Sequence, residues 1–454
     1  MALSAAIKNF GKTCDFSRRD QAMRLWHRDV LENRQPVNML LGCNYTDLLR
    51  PEELLALHRR WAKPIEQNDH DSASAASPIS RPVGRRLRIG YLSPDFRKHA
   101  TAYFVEPVLA QHDRESFEIH GYHNHGKEDE MTNKVRALCD QFLSTSQMTD
   151  DELHARIQSD EIDILVDLAG HTEGSRLKMM ARRAAPVQAS YLGYPNTTGL
   201  RAIDYLIVDR YIAESGMAFC TETPAVLPEC MITFQPLPVT AGDVTPPCAQ
   251  AGYVTFGSLN NLMKITSGAI SCWAAILSQV SGSRLLIAYS GADARCTRIN
   301  LEREFALHGV TADRLMIQGR LRREDFLGLY RKVDIFLDTF PYTGTTTTCE
   351  ALLMNVPVVT QTGLAQRERV SASILSHVGL GQLIAADTAE YVAMAVRLGR
   401  NTQELAGLRQ SMPAWLADSV LRQPQRLARN LEHLYRKMWE RHRRREASHA
   451  PLMG

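Results

Sequence analysis

Four consecutive threonines, Thr345, Thr346, Thr347 and Thr348, follow Gly344 and precede the run CEALLM. An apolar stretch ahead of them, residues 333–337, reads as a buried parallel strand that stops at Asp338 and turns through Pro341 and Gly344. The run from Cys349 reads as a helix, and Pro357 ends it. A strand, a Gly/Thr loop and a helix start can hold an anion. The first helical N–H groups lack intrahelical partners, and the helix dipole favours negative charge there. Four hydroxyls add donors that suit a phosphate. The alternative is an N-cap inside an ordinary loop, and the threonines alone do not separate the two.

Other residues bear on that choice. In FGSLNNLMKIT, residues 256–266, a strand ends, Asn260 and Asn261 turn, and Lys264 precedes a helix. A cation there can meet a diphosphate and stabilise it as a leaving group. The alternative is a surface lysine, although a lysine at a helix start is disfavoured unless something negative sits nearby. Arg367, Glu368 and Arg369 open a later helix. Arg369 can face phosphate, or the three residues can form a solvated charge run. Earlier in the chain stand His99, Asp160, His171 and the loop GYPNTTG, residues 193–199. Both histidines follow strand-like segments, so a ligand cleft is expected beside them. Imidazole titrates in the range a base needs, yet a loop histidine is also commonly a satisfied polar residue. His123 and His125 have no companion cysteine or acidic pair and read as solvated rather than metal-bound. Asp167 reads as structural, and EDE at 128–130 as a helix start.

The elements that must place these residues alternate. Residues 1–64 are helical in pattern, with apolar spacing over 18–31 and 51–62. Residues 65–86 are polar and Ser/Ala-rich and read as a linker. Strands are expected at 87–92, 117–122, 162–168, 187–192 and 204–208, with helices between them. Residues 211–250 carry six prolines and read as an inter-domain connection. A second series follows, with strands at 254–256, 284–288, 314–317, 333–337 and 356–360. Residues 387–443 are helical and end on a basic, amphipathic face that reads as solvated. The fold class is therefore α/β, with two Rossmann-like doubly wound domains of the GT-B type. The expected division is a helical segment and linker at 1–84, domains at 85–240 and 241–400, and C-terminal helices at 401–454.

Bulk properties exclude several classes. The 454 residues include 53 basic and 50 acidic side chains, a net charge of +3 that gives no case for nucleic acid. No run approaches the roughly 20 apolar residues of a membrane span. The nine cysteines form no C-x-x-C pair and suggest reduced thiols of a cytoplasmic protein. The first twenty residues lack a long apolar core ahead of a cleavage site, so no secretion signal is expected.

Together, LRIGYLSPDFRKHATAYF, DILVDLAGHTEGSRLKMMARRAAPVQASYLGYPNTTG, VTFGSLNNLMKIT and LDTFPYTGTTTTCEALLMNVPVVTQTG resemble glycosyltransferase family 41. That family holds protein O-GlcNAc transferases and Spindly-type protein O-fucosyltransferases. The resemblance covers about residues 85–440. It implies an inverting enzyme that needs no metal or other cofactor, a nucleotide sugar held mainly by the second domain, and protein Ser or Thr as acceptor. Carried over by motif, Lys264 matches the lysine at the diphosphate and Asn261 a neighbouring polar position. Thr346 and Thr347 match the phosphate-binding threonines, and Glu350 an acidic residue near the ribose. His99 matches a histidine proposed as base, and Asp160 an aspartate proposed for proton handling.

The chain also departs from the family. Thr345 stands where O-GlcNAc transferases carry histidine, and Phe326 where they carry a histidine that stacks on uracil, although Phe326 can stack too. The family's repeat array is replaced by residues 1–64, and its inserted domain by a Pro-rich connector. UDP-GlcNAc is the expected donor, with GDP-fucose as the alternative. From other classes, a nucleotide-sugar epimerase and a non-catalytic nucleotide-sugar-binding protein remain open.

Overall fold

A computed structural model describes residues 2–32, 39–68, 84–234, 240, 242–288 and 294–449. The chain divides into two compact units, Met1–Leu54 with Pro236–Ser419, and Leu55–Gln235 with Val420–Gly454. Each is built on one sheet in which every strand pair is parallel.

The sheet of the Leu55–Gln235 unit has seven strands: β1 (Leu87–Ser93), β2 (Phe117–His123), β3 (Gln141–Ser144), β4 (Ile164–Asp167), β5 (Val187–Tyr191), β6 (Tyr205–Asp209) and β7 (Thr223–Leu227). Their order is β3-β2-β1-β4-β5-β6-β7. The central strands β4, β5 and β6 are buried throughout, as near-continuous apolar runs require when both faces are covered. Leu153 and Ile157, four apart on the helix Asp150–Ser159, pack with Leu92, Tyr122, Leu165 and Met180. The final helix, Pro424–His449, joins this unit. Its Tyr435 hydroxyl lies 2.9 Å from that of Tyr91, and its Glu432 lies 3.1 Å from His112 Nδ1.

The other sheet has six strands: β8 (Thr255–Ser258), β9 (Arg284–Ala288), β10 (Leu315–Gln318), β11 (Ile335–Leu337), β12 (Val358–Gln361) and β13 (Ile384–Ala385). Their order is β10-β9-β8-β11-β12-β13. Both sheets thus run outward from their first strand and then reverse. The reversal falls between β1 and β4 in one sheet and between β8 and β11 in the other. Ligands of such sheets bind beyond the strand C-termini at that switch point.

The N-terminal helices Ala2–Lys12 and Phe16–Leu31 belong to the second sheet's unit. Asp15 caps the second of them by accepting the Arg18 N–H, and the buried Arg19 donates to the Ile265 carbonyl at 2.8 Å.

Three strands lie outside the expected set. β3, β7 and β13 are sheet-edge strands, and β7 falls within the stretch read as a Pro-rich connection. Pro224 is tolerated there because an edge strand leaves one row of N–H groups unpaired. The helix Pro51–Asn68 runs past the expected start of the linker. The rest of that linker up to residue 83, together with Pro236 and Pro238, lies outside the described residues. The stretch 387–443 is three helices, Thr388–Arg400, Thr402–Asp418 and Pro424–His449.

Candidate functional site

At the β8/β11 switch point the chain builds the Gly/Thr loop around one carboxylate. Asp338 follows β11 and is fully buried. Its Oδ1 accepts the backbone N–H of Thr339 at 2.9 Å and of Gly344 at 2.8 Å, and the Asn260 amide at 3.2 Å. Its Oδ2 accepts the Thr360 hydroxyl at 2.8 Å. Burial raises its pKa, while Ser371, Thr360, Lys264 and Gly344 oppose the rise. Gly344 is required here. A Cβ would stand 2.5 Å from Thr348 Oγ1 and 2.8 Å from Thr347 Oγ1.

Lys264 ends a short 3-10 turn after β8. Its Nζ donates to the Thr343 carbonyl at 2.8 Å and stands 4.2 Å from the Tyr342 ring centroid. Burial lowers its pKa to about 8, against the charge of Asp338. Asn261 is exposed and caps that turn by accepting the Met263 N–H at 3.1 Å.

The helix Thr346–Leu353 begins at the loop's end. Thr345 occupies the N-cap position, but its side chain makes no capping bond. The first-turn N–H groups therefore lack a capping bond from that side chain. Thr347 donates to Asn260 Oδ1 at 2.8 Å, and Thr348 shares a hydrogen bond with Ser371 at 2.8 Å. Thr345 and Thr346 are half-buried beside them.

Glu350 lies on the same helix, buried, with Arg323 and the Tyr330 hydroxyl on its carboxylate. Burial raises its pKa and Arg323 opposes that rise. Phe326 packs edge-on to Tyr330 with ring centroids 6.4 Å apart. The Tyr330 hydroxyl also donates to the Thr347 carbonyl at 3.2 Å, which ties Phe326, Glu350 and the threonine loop to one tyrosine.

The reading of residues 367–369 as a solvated charge run is corrected. Arg367 is 1% exposed and Arg369 7% exposed. Arg369 donates to the Gly363 carbonyl at 2.9 Å. Arg367 donates to the carbonyls of Cys43, Asn44, Thr46 and Leu49 at 3.1–3.3 Å. Tyr45, in the same N-terminal stretch, stacks on Tyr342 with centroids 5.1 Å apart. The segment around residues 43–49 thereby packs beside the Gly/Thr loop.

In the other sheet His99 and His171 follow β1 and β4, the two strands that flank its switch point. His99 caps the helix Ala100–Leu109: its Nδ1 accepts the Thr101 N–H at 3.3 Å and lies 3.4 Å from Asp95. Burial lowers its pKa, and Asp95 opposes that. The Nε2–H of His171 donates to the Thr198 carbonyl at 2.7 Å, which leaves Nδ1 as the lone-pair nitrogen. Burial lowers its pKa to about 4. Trp61 stands edge-on to it at 4.4 Å and Tyr194 at 5.2 Å, and His58 shares a 2.7 Å hydrogen bond with Tyr194. The threonines of GYPNTTG face protein: Glu222, buried, accepts from Thr197 Oγ1 at 2.6 Å and from the Thr198 N–H at 2.7 Å. Asp167 accepts the Ala169 and Gly170 N–H groups and holds the turn that carries His171.

Two expectations fail in this unit. Asp160 does not join the histidines: it caps the C-terminus of the helix Asp150–Ser159 ahead of β4, bound by Arg156 and the Tyr122 hydroxyl. His171 follows β4, at its other end. His123 is buried rather than solvated, and donates to the Lys127 carbonyl at 3.2 Å.

Sequence reasoning missed Asp338 as the hub, and also Arg323, Tyr330, Glu222, His58 and Trp61. Asp338 carried a usable signal, a carboxylate at a strand end six residues before the loop glycine. His58 and Trp61 carried none, since nothing local says which turn of a helix meets a distant loop.

The model of the family described as Glycosyl transferase family 41 matches residues 69–230 and 249–431. The chain is 37% identical over 422 residues to a Petunia hybrida protein named "Probable UDP-N-acetylglucosamine--peptide N-acetylglucosaminyltransferase SPINDLY", covering 89% of this chain and 44% of that protein. It is 30% identical to the Arabidopsis thaliana protein of the same activity name called SEC, covering 81% of this chain and 39% of that protein. The chain spans less than half the length of these curated relatives. Among solved structures, a lysine-to-methionine variant of the Thermobaculum terrenum O-GlcNAc transferase matches with TM-score 0.83 and 32% identity, over 97% of this chain and 82% of that one.

Proposed function

The chain belongs to glycosyl transferase family 41 and has the GT-B type of fold, and from this we propose that it is a protein O-glycosyltransferase. It moves a sugar from a nucleoside diphosphate to Ser or Thr hydroxyls of acceptor proteins. The observation that supports this most is Lys264 and the uncapped start of the helix Thr346–Leu353 meeting at one switch point.

The acceptor oxygen attacks the anomeric carbon opposite the diphosphate and inverts that centre. The new C–O bond forms as the bond to the β-phosphate oxygen breaks, and charge collects on the departing diphosphate. Lys264, the Thr346 hydroxyl and the helix N–H groups, that of Thr347 among them, stabilise that charge, which is the largest contribution such a site can make. No step in this reading calls on a metal, so chelator leaves turnover unchanged. Glu350 and Phe326 serve the nucleoside end, and Asn261 and Arg369 hold the loops on either side. His171 takes up a proton poorly with its pKa near 4. His99 is the candidate for the proton: Asp95 stands 3.4 Å from its Nδ1 and would stabilise a charged ring once that nitrogen releases the Thr101 N–H. Asp160 has no part in this reading.

UDP-GlcNAc is the donor we favour, because the names of the relatives carry it. Thr345 and Phe326 depart from the O-GlcNAc transferase pattern, which favours GDP-fucose as the second reading. The site of action we propose is the cytoplasm. The nine cysteines form no C-x-x-C pair, and among the described residues no helix is long and apolar enough to cross a membrane.

The test is incubation with radiolabelled UDP-GlcNAc or GDP-fucose and candidate acceptor proteins, followed by mass spectrometry. Labelled Ser or Thr is expected. An altered nucleotide sugar with no labelled protein would mean an epimerase, and binding without turnover would mean a non-catalytic protein.

A further inference from the structure

One peptide unit of the anion loop is held at both ends by opposite charges. The carbonyl of Thr343 accepts from the Lys264 ammonium at 2.8 Å, and the N–H of the next residue, Gly344, donates to Asp338 Oδ1 at 2.8 Å. The same carboxylate holds Asn260 from the loop after β8 and Thr360 from β12. It therefore joins the loop to three strands.

A hydrogen-bonding role alone does not need a charge. Asparagine at 338 would keep Oδ1 for its three donors, and its amide could donate to Thr360 Oγ1. A buried negative charge beside a phosphate site is by itself unfavourable, since like charges repel. The charge has a use only toward a cation, and the cation here is Lys264. Around Lys264 stand the Tyr342 ring, with Tyr45 stacked behind it, and the Thr343 carbonyl, and Asp338 acts on it electrostatically from the other end of the same peptide unit. Burial raises both phenols above their ordinary range, so both tyrosines stay neutral. Burial also works against the charge on Lys264, and Asp338 works for it.

We propose that Asp338 is a positioning residue of this site: it shapes the anion loop and supplies the counter-charge that keeps Lys264 an ammonium ready to meet a diphosphate. The inference rests on reading the loop as a diphosphate site. Bound diphosphate then adds its own charge to the balance, so Asp338 matters most in the empty site.

The test uses the full chain and needs no ligand. The reactivity of the Lys264 amine toward acetic anhydride is followed against pH by mass spectrometry, in the parent protein and in Asp338→Asn. The midpoint in the variant is expected to fall by about one pH unit or more. An unchanged midpoint in a folded variant would overturn the proposal and leave Asp338 a purely structural residue. Should Asp338→Asn not fold, Lys264→Met reads the same coupling from the other side. In protein labelled with [13Cγ]aspartate, one carboxyl resonance should titrate at higher pH once the cation is gone, and its absence would overturn the coupling. In a separate arm, UDP and GDP binding is measured by calorimetry from pH 6 to 9. Asp338→Asn should bind near normally at pH 6 and lose about fivefold more affinity than the parent by pH 8. Loss by the same factor at every pH would count against the counter-charge role. A parent protein that binds neither nucleotide would refute the diphosphate reading, while the labelling result would still decide the role of Asp338.

Discussion

Burial shifts the titration of Lys264 and of His171, with opposite consequences for function. Lys264 is held near pH 8, so its charge is lost as the solution becomes alkaline. The pH profile of kcat/KM for the nucleotide sugar should fall above an apparent pKa near 8, and Lys264→Met should lower kcat by about 10²–10³ at pH 7. A variant with near-normal turnover would remove Lys264 from the leaving-group site. His171 is held near 4, below its unfolded value, so it stays neutral in the folded state at ordinary pH. The sign follows from linkage: the unfolded chain takes up the proton first. Stability contributed by the neutral ring is present above about pH 6.5 and lost as pH falls toward 4, by at most about 3 kcal/mol. His171→Asn should flatten that part of the stability–pH curve in denaturant titrations. An equally steep curve in the variant would place the titrating group elsewhere.

Among the elements, the N-terminal segment has the least obvious role. Arg367 reaches four of its backbone carbonyls, and Tyr45 stacks on the tyrosine under Lys264. Arg367→Met would leave those buried carbonyls without a donor, at a cost of about 3 kcal/mol. For a unit of this size that is a fall of roughly 6–12 °C in its melting transition. Arg367→Lys should not restore it, because an ammonium lacks the guanidinium's planar set of donors. Melting followed by calorimetry checks both. The edge strands show why some elements escaped the sequence. β4 and β6 announce themselves as buried apolar runs, whereas β7 alternates exposed and buried residues around a proline and β13 has two residues. Such strands owe their existence to a neighbour's free edge more than to their own side chains.

At the scale of the whole molecule, the chain passes between the two units three times, at about residues 55, 236 and 420. Each unit is therefore completed by a stretch remote in sequence: the N-terminal helices for one, the last helix for the other. A ligand held by the anion loop stabilises the folded state by mass action. UDP should raise the melting midpoint of the Pro236–Ser419 unit in proportion to the logarithm of its concentration, more than GDP does. A rise with GDP alone would reverse the donor preference in favour of fucose.

The sequence by itself determined the two parallel sheets, the strand ends that carry Lys264, His99, His171 and the threonine loop, and the family. Parallel strands must be buried on both faces, so they are written as apolar runs, and the polar residues that end them mark the ligand edge. Only the tertiary structure decided which of those polar residues meet. Lys264 on the Thr343 carbonyl, Asp338 on the Asn260 amide, Arg367 on the carbonyls of residues 43–49, and Glu222 beneath the GYPNTTG loop are contacts between segments distant in sequence. Asp160 looked like their equal, but the end of the sheet on which it falls is set by the path of the helix before it. A buried charge takes its partner from whatever the fold brings within hydrogen-bonding distance, and no local spacing encodes that choice.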